Sequence, residues 1–426
     1  MKKNSYFSLV AILFFGLMTQ AQSKKWTLEE CVKYALENNI SIKQSELDTQ
    51  TATIDKKSAF GNLLPSINAS TSHSWNIGLN QDITTGLLRN QTTQFTSTGM
   101  NVGIDIYKGL QNQNNLRRAN LALVASKYQL LKMQEDIALN VANAFLQVLF
   151  NKENLKVQLE QLAINEKQLA RSSELVSVGV VPRGDLLDIK ASVAQTRQNV
   201  VAAENTLLIS KLSLSQLLQL KDFENFDVVD VMDINNNATI LAQSPSAIID
   251  KAKESRTELK IAQTNLEIAQ KNLAIAKGAF QPSLQGFYGF NSRISYADVA
   301  VISGGVISTK PANPFWTQFS DNKGQSFGAQ LSIPIFNGLA TKNNVERSKV
   351  NLQKATIALE QQNLNLERTI YTAFTDAKGA LKANESAISS FEARQEAYNY
   401  AKEKFAVGLM NSFDYNQAQT LLVNAQ

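Results

Sequence analysis

The sequence predicts a mainly α fold with a smaller transmembrane β portion, laid down as two tandem repeats. Seven prolines and 19 glycines in 426 residues are about half of average usage, so the chain has few places to turn and favours long uninterrupted elements. Apolar residues recur every seven positions through two long stretches, and four other stretches alternate with period two. Hydrophobic residues at 44% and charged residues at 19% exclude wholesale disorder and a helical membrane protein with many apolar spans.

At the N-terminus, Lys2 and Lys3 precede an apolar run from Tyr6 to Met18 and the small-residue site Thr19-Gln20-Ala21. This is the pattern of a cleavable signal peptide over residues 1–21, and it predicts export with a mature start near Gln22. Loss of the two lysines lowers the formal charge of +5 by two, a balance that gives no footprint for nucleic acid. One cysteine, Cys31, cannot form an internal disulfide, and its helical context marks it as a small packed residue. One histidine, His73, offers no metal cluster and no Ser-His-Asp arrangement, and neither GxxxxGK nor GxGxxG occurs. These absences predict no cofactor, no metal and no enzyme.

The duplication is read directly from the letters. Gly61-Asn62-Leu63-Leu64-Pro65-Ser66 recurs as Gly278-Ala279-Phe280-Gln281-Pro282-Ser283, displaced by 217. Val102-Gly103-Ile104-Asp105-Ile106-Tyr107-Lys108-Gly109 recurs as Leu331-Ser332-Ile333-Pro334-Ile335-Phe336-Asn337-Gly338, displaced by 229. The change of offset places an insertion in the second copy, within the Gly/Pro-rich stretch 297–325.

After each β portion a long helix is predicted. Leu116, Leu123, Leu130 and Ile137 are spaced by seven; a step of four leads to Val141, Val148, Leu155, Leu162, Leu169 and Val176, again by seven. The image 229 residues on begins Val345, Leu352, Leu359, Leu366, steps by four to Ile370, and continues through Phe391, Tyr398 and Phe405. Sustained sevens give a left-handed coiled-coil seam, and the step of four locally unwinds it. Helices over 112–178 and 341–407 are each about 100 Å long at 1.5 Å per residue. Both end in a glycine-centred turn: Val178, Gly179, Val180 and Pro182 before Asp185, and Val407, Gly408, Leu409 and Met410 before Asp414. The Asp suits the cap or start of a returning helix. Leu186, Val193, Val200, Leu207 and Leu214 then make the first return helix, closing a helical hairpin over 112–221.

The period-two stretches are 66–80, 95–107, 284–296 and 326–336. Ile67, Trp75, Ile77 and Leu79 alternate with Ser66, Asn68, Ser70 and Ser72, and the other three alternate likewise. One apolar and one polar face fit transmembrane strands with lipid outside and water inside. Four strands cannot close a barrel, and open edges do not occur in lipid, so spanning strands require several chains to share one barrel. Two soluble hairpins lying against the helices are the alternative.

Together these residues resemble the TolC-like outer-membrane efflux proteins. The resemblance rests on the opening Trp26-Thr27-Leu28-Glu29-Glu30-Cys31-Val32-Lys33-Tyr34-Ala35-Leu36, where Thr27 and Glu30 also form a capping box. It rests further on the doubled Gly-x-x-x-Pro-Ser junctions, on Pro334-Ile335-Phe336-Asn337-Gly338, and on the two Val-Gly tips with their following Asp. The family implies a homotrimer, with an α-barrel tunnel in the periplasm joined to a shared 12-stranded barrel in the outer membrane and its lipid. It implies a passive exit duct of a tripartite efflux or type I secretion system, docked through the hairpin tips to a periplasmic adaptor and an inner-membrane pump. On this reading residues 22–221 are the first repeat, 222–245 an acidic equatorial linker and 246–426 the second repeat.

The family narrows its entrance with acidic rings and a small bonded network near the tips. By resemblance Asp414 matches the first ring acid and Asp185 the Asp of the first hairpin, while Gln417 replaces the second ring acid. Phe405 and Met410 stand where the network would have a Tyr and an Arg. Three copies of Asp414 around a narrow axis would form a weakly cation-selective constriction; helix capping is the other reading of both acids. Gln426 corresponds to Arg197, and the first return helix keeps its sevens to Leu217, so a chain cut short within its last helix is expected. The competing function is a periplasmic coiled-coil adaptor or structural protein, which would carry one hairpin rather than two. The exported substrate is unreadable from a lining of Ser, Thr, Asn and Gln.

Overall fold

The computed structural model describes residues 25–81, 86, 88–221, 223, 225–230, 241–304 and 306–426; the signal peptide and much of the 222–245 linker lie outside these residues. The elements run β1 (Lys25–Trp26), α1 (Leu28–Asn38), α2 (Ile40–Gly61), β2 (Ser66–Gln81), β3 (Leu88–Lys108), α3 (Gln111–Ser177), α4 (Arg183–Leu218) and β4 (Asp227–Val228). They continue with α5 (Pro245–Ser255), α6 (Thr257–Gly278), β5 (Ser283–Ser295), β6 (Val299–Ser303), β7 (Val306–Lys310), α7 (Phe315–Asp321), β8 (Gly324–Ser332), α8 (Ala340–Ala406) and α9 (Ser412–Val423). Two compact units result, each drawn from both halves of the sequence: residues 1–47, 129–257 and 363–426 in one, 48–128 and 258–362 in the other.

The first unit is organised by the row of sevens. Every seam residue of α3 from Leu130 to Val176 is buried or half-buried. Around the step of four, Val141, Phe145 and Val148 are fully buried, together with Cys31 and Ala35 of α1, Leu214 and Leu218 of α4, and Val228. Helix α1 starts where its letters say: the Thr27 hydroxyl accepts from the Glu30 amide and the Glu30 carboxylate accepts from the Thr27 amide. Ser244 caps α5 more simply, its hydroxyl accepting from the Ala247 amide, with Pro245 at the first helical position.

Residues 225–230 are docked rather than loose. β4 pairs in parallel with β1, Phe226 and Val228 enter the core, and the acids meet lysines from distant elements. Asp227 is bound by Lys211 at 2.9 Å and Lys152 at 3.2 Å, and Asp230 by Lys152 and Lys25. Burial opposes the charge of Asp227, yet the two lysines hold its carboxyl below the usual carboxylate range. Hydrogen bonds from Lys152 and Lys25 pull Asp230 down to about 2.

The second unit holds an antiparallel sheet of order β2-β3-β5-β8. Its register sets Ile67 opposite Val102, Val102 opposite Tyr288 and Tyr288 opposite Phe327, so the apolar alternation of all four strands falls on one face. Ser70, Gly99, Asn291 and Gly324 fall on the other. Ile77 is 82% exposed and Phe327 85%, so the apolar face has no cover from this chain at these positions. Two strand ranges are corrected. β3 begins at Leu88, not 95, because residues 89–94 are polar and hide the alternation. β8 spans 324–332, not 326–336: Pro334 has no amide to donate to the ladder, and Ile335 and Phe336 lie beyond it. The insertion is ordered as the β6–β7 hairpin and α7, whose Phe319 carbonyl accepts from Ser292 and whose ring meets Phe290 at 5.9 Å.

The sign of the pH dependence follows from Asp227 and Asp230. Their depressed folded-state pKa values stabilise the fold above the unfolded carboxylate value near 4, and that contribution is lost as pH falls toward about 2. The unfolding midpoint of the parent is expected to drop between pH 5 and 2 more steeply than that of Asp227→Asn/Asp230→Asn, measured by circular dichroism melts. Parallel pH profiles for the two proteins would refute it.

Candidate functional site

The tips of the two helical hairpins lie in the first unit and are built alike. Gly179 has φ +76° and Gly408 φ +76°. At the first tip the Gly179 amide bonds the Val176 carbonyl and the Val180 amide bonds that of Leu175; at the second, Gly408 bonds Phe405 and Leu409 bonds Lys404. This doubled pattern is the Schellman end of a helix, which needs a left-handed residue and so selects glycine. A side chain added at either glycine would meet nothing within 4 Å, so backbone conformation alone dictates it. Val178, Val180, Val407 and Leu409 are all exposed, Leu409 at 77%.

Neither acid caps its helix. Pro182 is the N-cap of α4 and Asp185 sits three residues in, half-buried, its amide bonded to the Pro182 carbonyl. Asn411 is the N-cap of α9: its side-chain oxygen accepts from the Asp414 amide at 2.8 Å, and its side-chain NH2 donates to the Asp414 carboxylate at 2.9 Å. Asp414 is thereby oriented in the first turn, where the helix dipole favours a carboxylate. Asp414 and Gln417 are both exposed, and a spacing of three puts them on one face. Met410, by contrast, packs onto an aromatic cluster.

That cluster, and a buried amide beside it, were not legible as a site in the sequence. Tyr415 stacks on Phe405 at 4.7 Å and 17°, and its hydroxyl meets that of Tyr398 at 2.8 Å. Burial, then the bond to Tyr398, pushes the Tyr415 phenol far up, so it stays protonated. One turn on, buried Gln419 donates to the Asn165 side-chain oxygen at 3.0 Å; the Asn165 side-chain NH2 in turn donates to the Thr196 hydroxyl at 2.9 Å. A single amide therefore joins α3, α4 and α9. Arg171 adds a bond at 3.5 Å to the Ala406 carbonyl. The available signal was a polar row beside the seam: Asn151, Gln158, Asn165 and Ser172 are spaced by seven, and all but half-buried Gln158 are buried. Near the second tip the stacked rings bind α9 to α8, and the amide pair binds α9 to α3. Among the described residues, no group of three or more His, Cys, Asp or Glu is placed to hold a metal ion.

Removing one hydroxyl of the tyrosine pair leaves the other buried without its partner, whereas removing both does not. Tyr415→Phe is expected to cost about 1–3 kcal/mol, and Tyr398→Phe/Tyr415→Phe less than the single change. A thermal double-mutant cycle with simply additive losses would contradict this.

Residues 31–219 and 248–426 match the protein-family model described as Outer membrane efflux protein. The Outer membrane protein TolC of Escherichia coli (strain K12) is 20% identical over 423 residues, 98% of this chain and 81% of that protein. The Probable outer membrane lipoprotein SilC of Salmonella typhimurium is 24% identical over 371 residues, 85% of this chain and 71% of that protein. Among solved structures, the Campylobacter jejuni CmeC outer membrane channel has a TM-score of 0.79 at 20% identity, over 93% of this chain and 80% of that one. The open state of the Neisseria gonorrhoeae MtrE outer membrane channel has a TM-score of 0.71 at 16% identity, over 93% and 83%. The mostly helical fold with its four-stranded sheet is that of these channels.

Proposed function

The chain belongs to the outer membrane efflux protein family, and on that premise we propose that it is the passive exit duct of a tripartite efflux or secretion system, assembled as a homotrimer. It is a protein of the outer membrane. The observation that carries the proposal is the sheet: one exposed apolar face, one polar face, and two outer edges, on β2 and β8, that pair with nothing among the described residues. Backbone groups left open in lipid cost several kcal/mol each, so such a sheet can lie in a membrane only if further strands close it. Nine residues in β8, the shortest strand of the four-stranded sheet, reach the roughly 9–11 needed to cross. Three copies of four strands make a 12-stranded barrel.

The helices of each copy then supply the wall of a periplasmic tunnel, and the duct carries no energy source of its own. Exposed Val178, Val180, Val407 and Leu409 give the tips an apolar surface for a periplasmic adaptor, which connects to an inner-membrane pump. Asp185 and Asp414 line the narrowed entrance. Separated membranes of cells producing the chain are expected to hold it in the outer-membrane fraction, as a trimer on detergent gels that only boiling dissociates. A monomer in that fraction, or recovery outside it, would refute the assembly.

Three Asp414 carboxylates, oriented by Asn411 and brought near one axis, attract cations. Planar-bilayer recordings of Asp414→Ala are expected to show cation preference reduced relative to the parent. Unchanged selectivity would remove Asp414 from the constriction.

A further inference from the structure

Helix order follows strand order in the second unit. Because α2 leads into β2, α3 leaves β3 and α6 leads into β5, and the strands stand β2-β3-β5, α3 takes its place between α2 and α6. A cavity of about 780 Å³ opens among these three helices, within the roughly 300–1,000 Å³ of ordinary ligand pockets. Phe60 of α2 with Leu116, Leu121 and Leu123 of α3 give it a largely apolar wall. The same wall carries four cations, Lys56 and Lys57 from α2, Arg117 from α3 and Lys271 from α6, against one carboxylate, Glu267.

The cations stand at one level. Counted along the chain from the strand that each helix meets, Lys57 and Arg117 are nine residues away, Lys56 ten and Lys271 twelve. Three residues of helix rise about 5 Å, so a single acid group is within reach of all three helices. Apolar residues flank this belt, Phe60 and Leu116 on the side of the sheet, Leu121 and Leu123 on the other. Among the described residues, none of the four cations is in an ion pair, and neither is Glu267. Lys56 and Lys271 are half-buried. Their charge is thus partly withdrawn from water without a counter-charge, a cost that an acidic ligand offsets.

The duplication supplies an internal control. Displaced by 217 on α2 and by 229 on α3, the same junction recurs between α6 and α8. Its apolar positions are kept: Leu116, Leu121 and Leu123 become Val345, Val350 and Leu352. The cations are not kept: Lys56, Lys57 and Arg117 become Leu273, Ala274 and Glu346, and Glu346 is bonded by Lys349 at 2.8 Å. Setting two such helices beside the sheet therefore needs the apolar row and can be done without those three cations. Their presence in the first copy has another cause.

We propose that the cavity binds an anionic amphiphile, its acid head held among Lys56, Lys57, Arg117 and Lys271 and its apolar body laid along Phe60, Leu116 and Leu121. Arg117 offers a planar fork that matches a carboxylate or phosphate, and the lysines add point charges. The surplus of positive charge excludes a cationic amphiphile, and an uncharged one gains nothing from the belt. A free acid in solution and the head of a membrane phospholipid share this chemistry. The site is complete within one chain, so it stands apart from the assembly of the duct.

The test uses the full chain in nanodiscs of phosphatidylcholine, with dansyl-labelled undecanoic acid as the fluorescent probe. Dodecanoate and dodecyl phosphate are expected to displace it, whereas dodecylamine and dodecanol, of equal chain length, are not. Lys57→Gln/Arg117→Gln is expected to weaken probe binding about tenfold or more. Both side chains are exposed, so the variant should melt with the parent. Lys349→Gln, at the duplicate junction, should bind the probe as the parent does. Nanodiscs that also hold phosphatidylglycerol separate the two sources by native mass spectrometry. Retention of that lipid by the parent and not by the double variant assigns the site to a membrane head; displacement of the probe by dodecanoate without retained lipid assigns it to a free acid. Dodecanol competing as well as dodecanoate, a double variant that binds like the parent, or a parent that takes up neither probe nor lipid would overturn the proposal.

Discussion

The packing around Val141, Phe145 and Val148 is the interaction on which the first unit depends. A helix that repeats every seven residues presents one narrow stripe, enough for one neighbour. The step of four between Ile137 and Val141 raises the local repeat to eleven residues in three turns, closer to a straight helix, and the buried face broadens there. Three different elements use the breadth: Cys31 and Ala35 from α1, Leu214 and Leu218 from α4, and Phe226 and Val228 from the segment that joins the two halves. A strict heptad would have left one of them without a dry surface. Lys152, on the next turn, gathers Asp227 and Asp230 and so fixes the joining segment by charge as well as by burial.

What could be read in the letters was whatever repeats. Seams of sevens, doubled Gly-x-x-x-Pro-Ser junctions and tip glycines each have one local cause, burial of a stripe or a left-handed turn, and each stands where the periodicity puts it to within a residue or two. The start of α1 was equally plain, because Thr27 with Glu30 satisfies end groups by local bonds. The ladder at Leu88 was not, since an edge of polar residues pairs by backbone and leaves no alternation to see. Nor was the docking of residues 225–230: their acids look like a solvated linker until Lys25, Lys152 and Lys211, from three other places in the chain, are brought beside them.

The candidate site was legible by position and not by chemistry. Tyr398 and Phe405 lie in the row of sevens and read there as packing, which they do provide, yet Tyr415 turns them into a stacked and hydrogen-bonded unit. Asn165 carries no local signal of its partners, because Thr196 and Gln419 come from 31 and 254 residues away. A substitution of Tyr and Arg by Phe405 and Met410 looks like loss of a lock when the two positions are considered alone. In the folded chain Phe405 stacks on Tyr415 and Met410 packs on the same cluster.

The two ways of holding α9 differ in what separating them requires. The Asn165–Gln419 amides are buried, so parting them exposes groups that water can satisfy at once, and the net cost of such a bond is small once solvent replaces the partner. The Phe405–Tyr415–Tyr398 group joins α8 to α9, within the second hairpin, and parting it would expose aromatic surface that water does not compensate. The weaker contact therefore lies between the hairpins and the stronger one inside one of them.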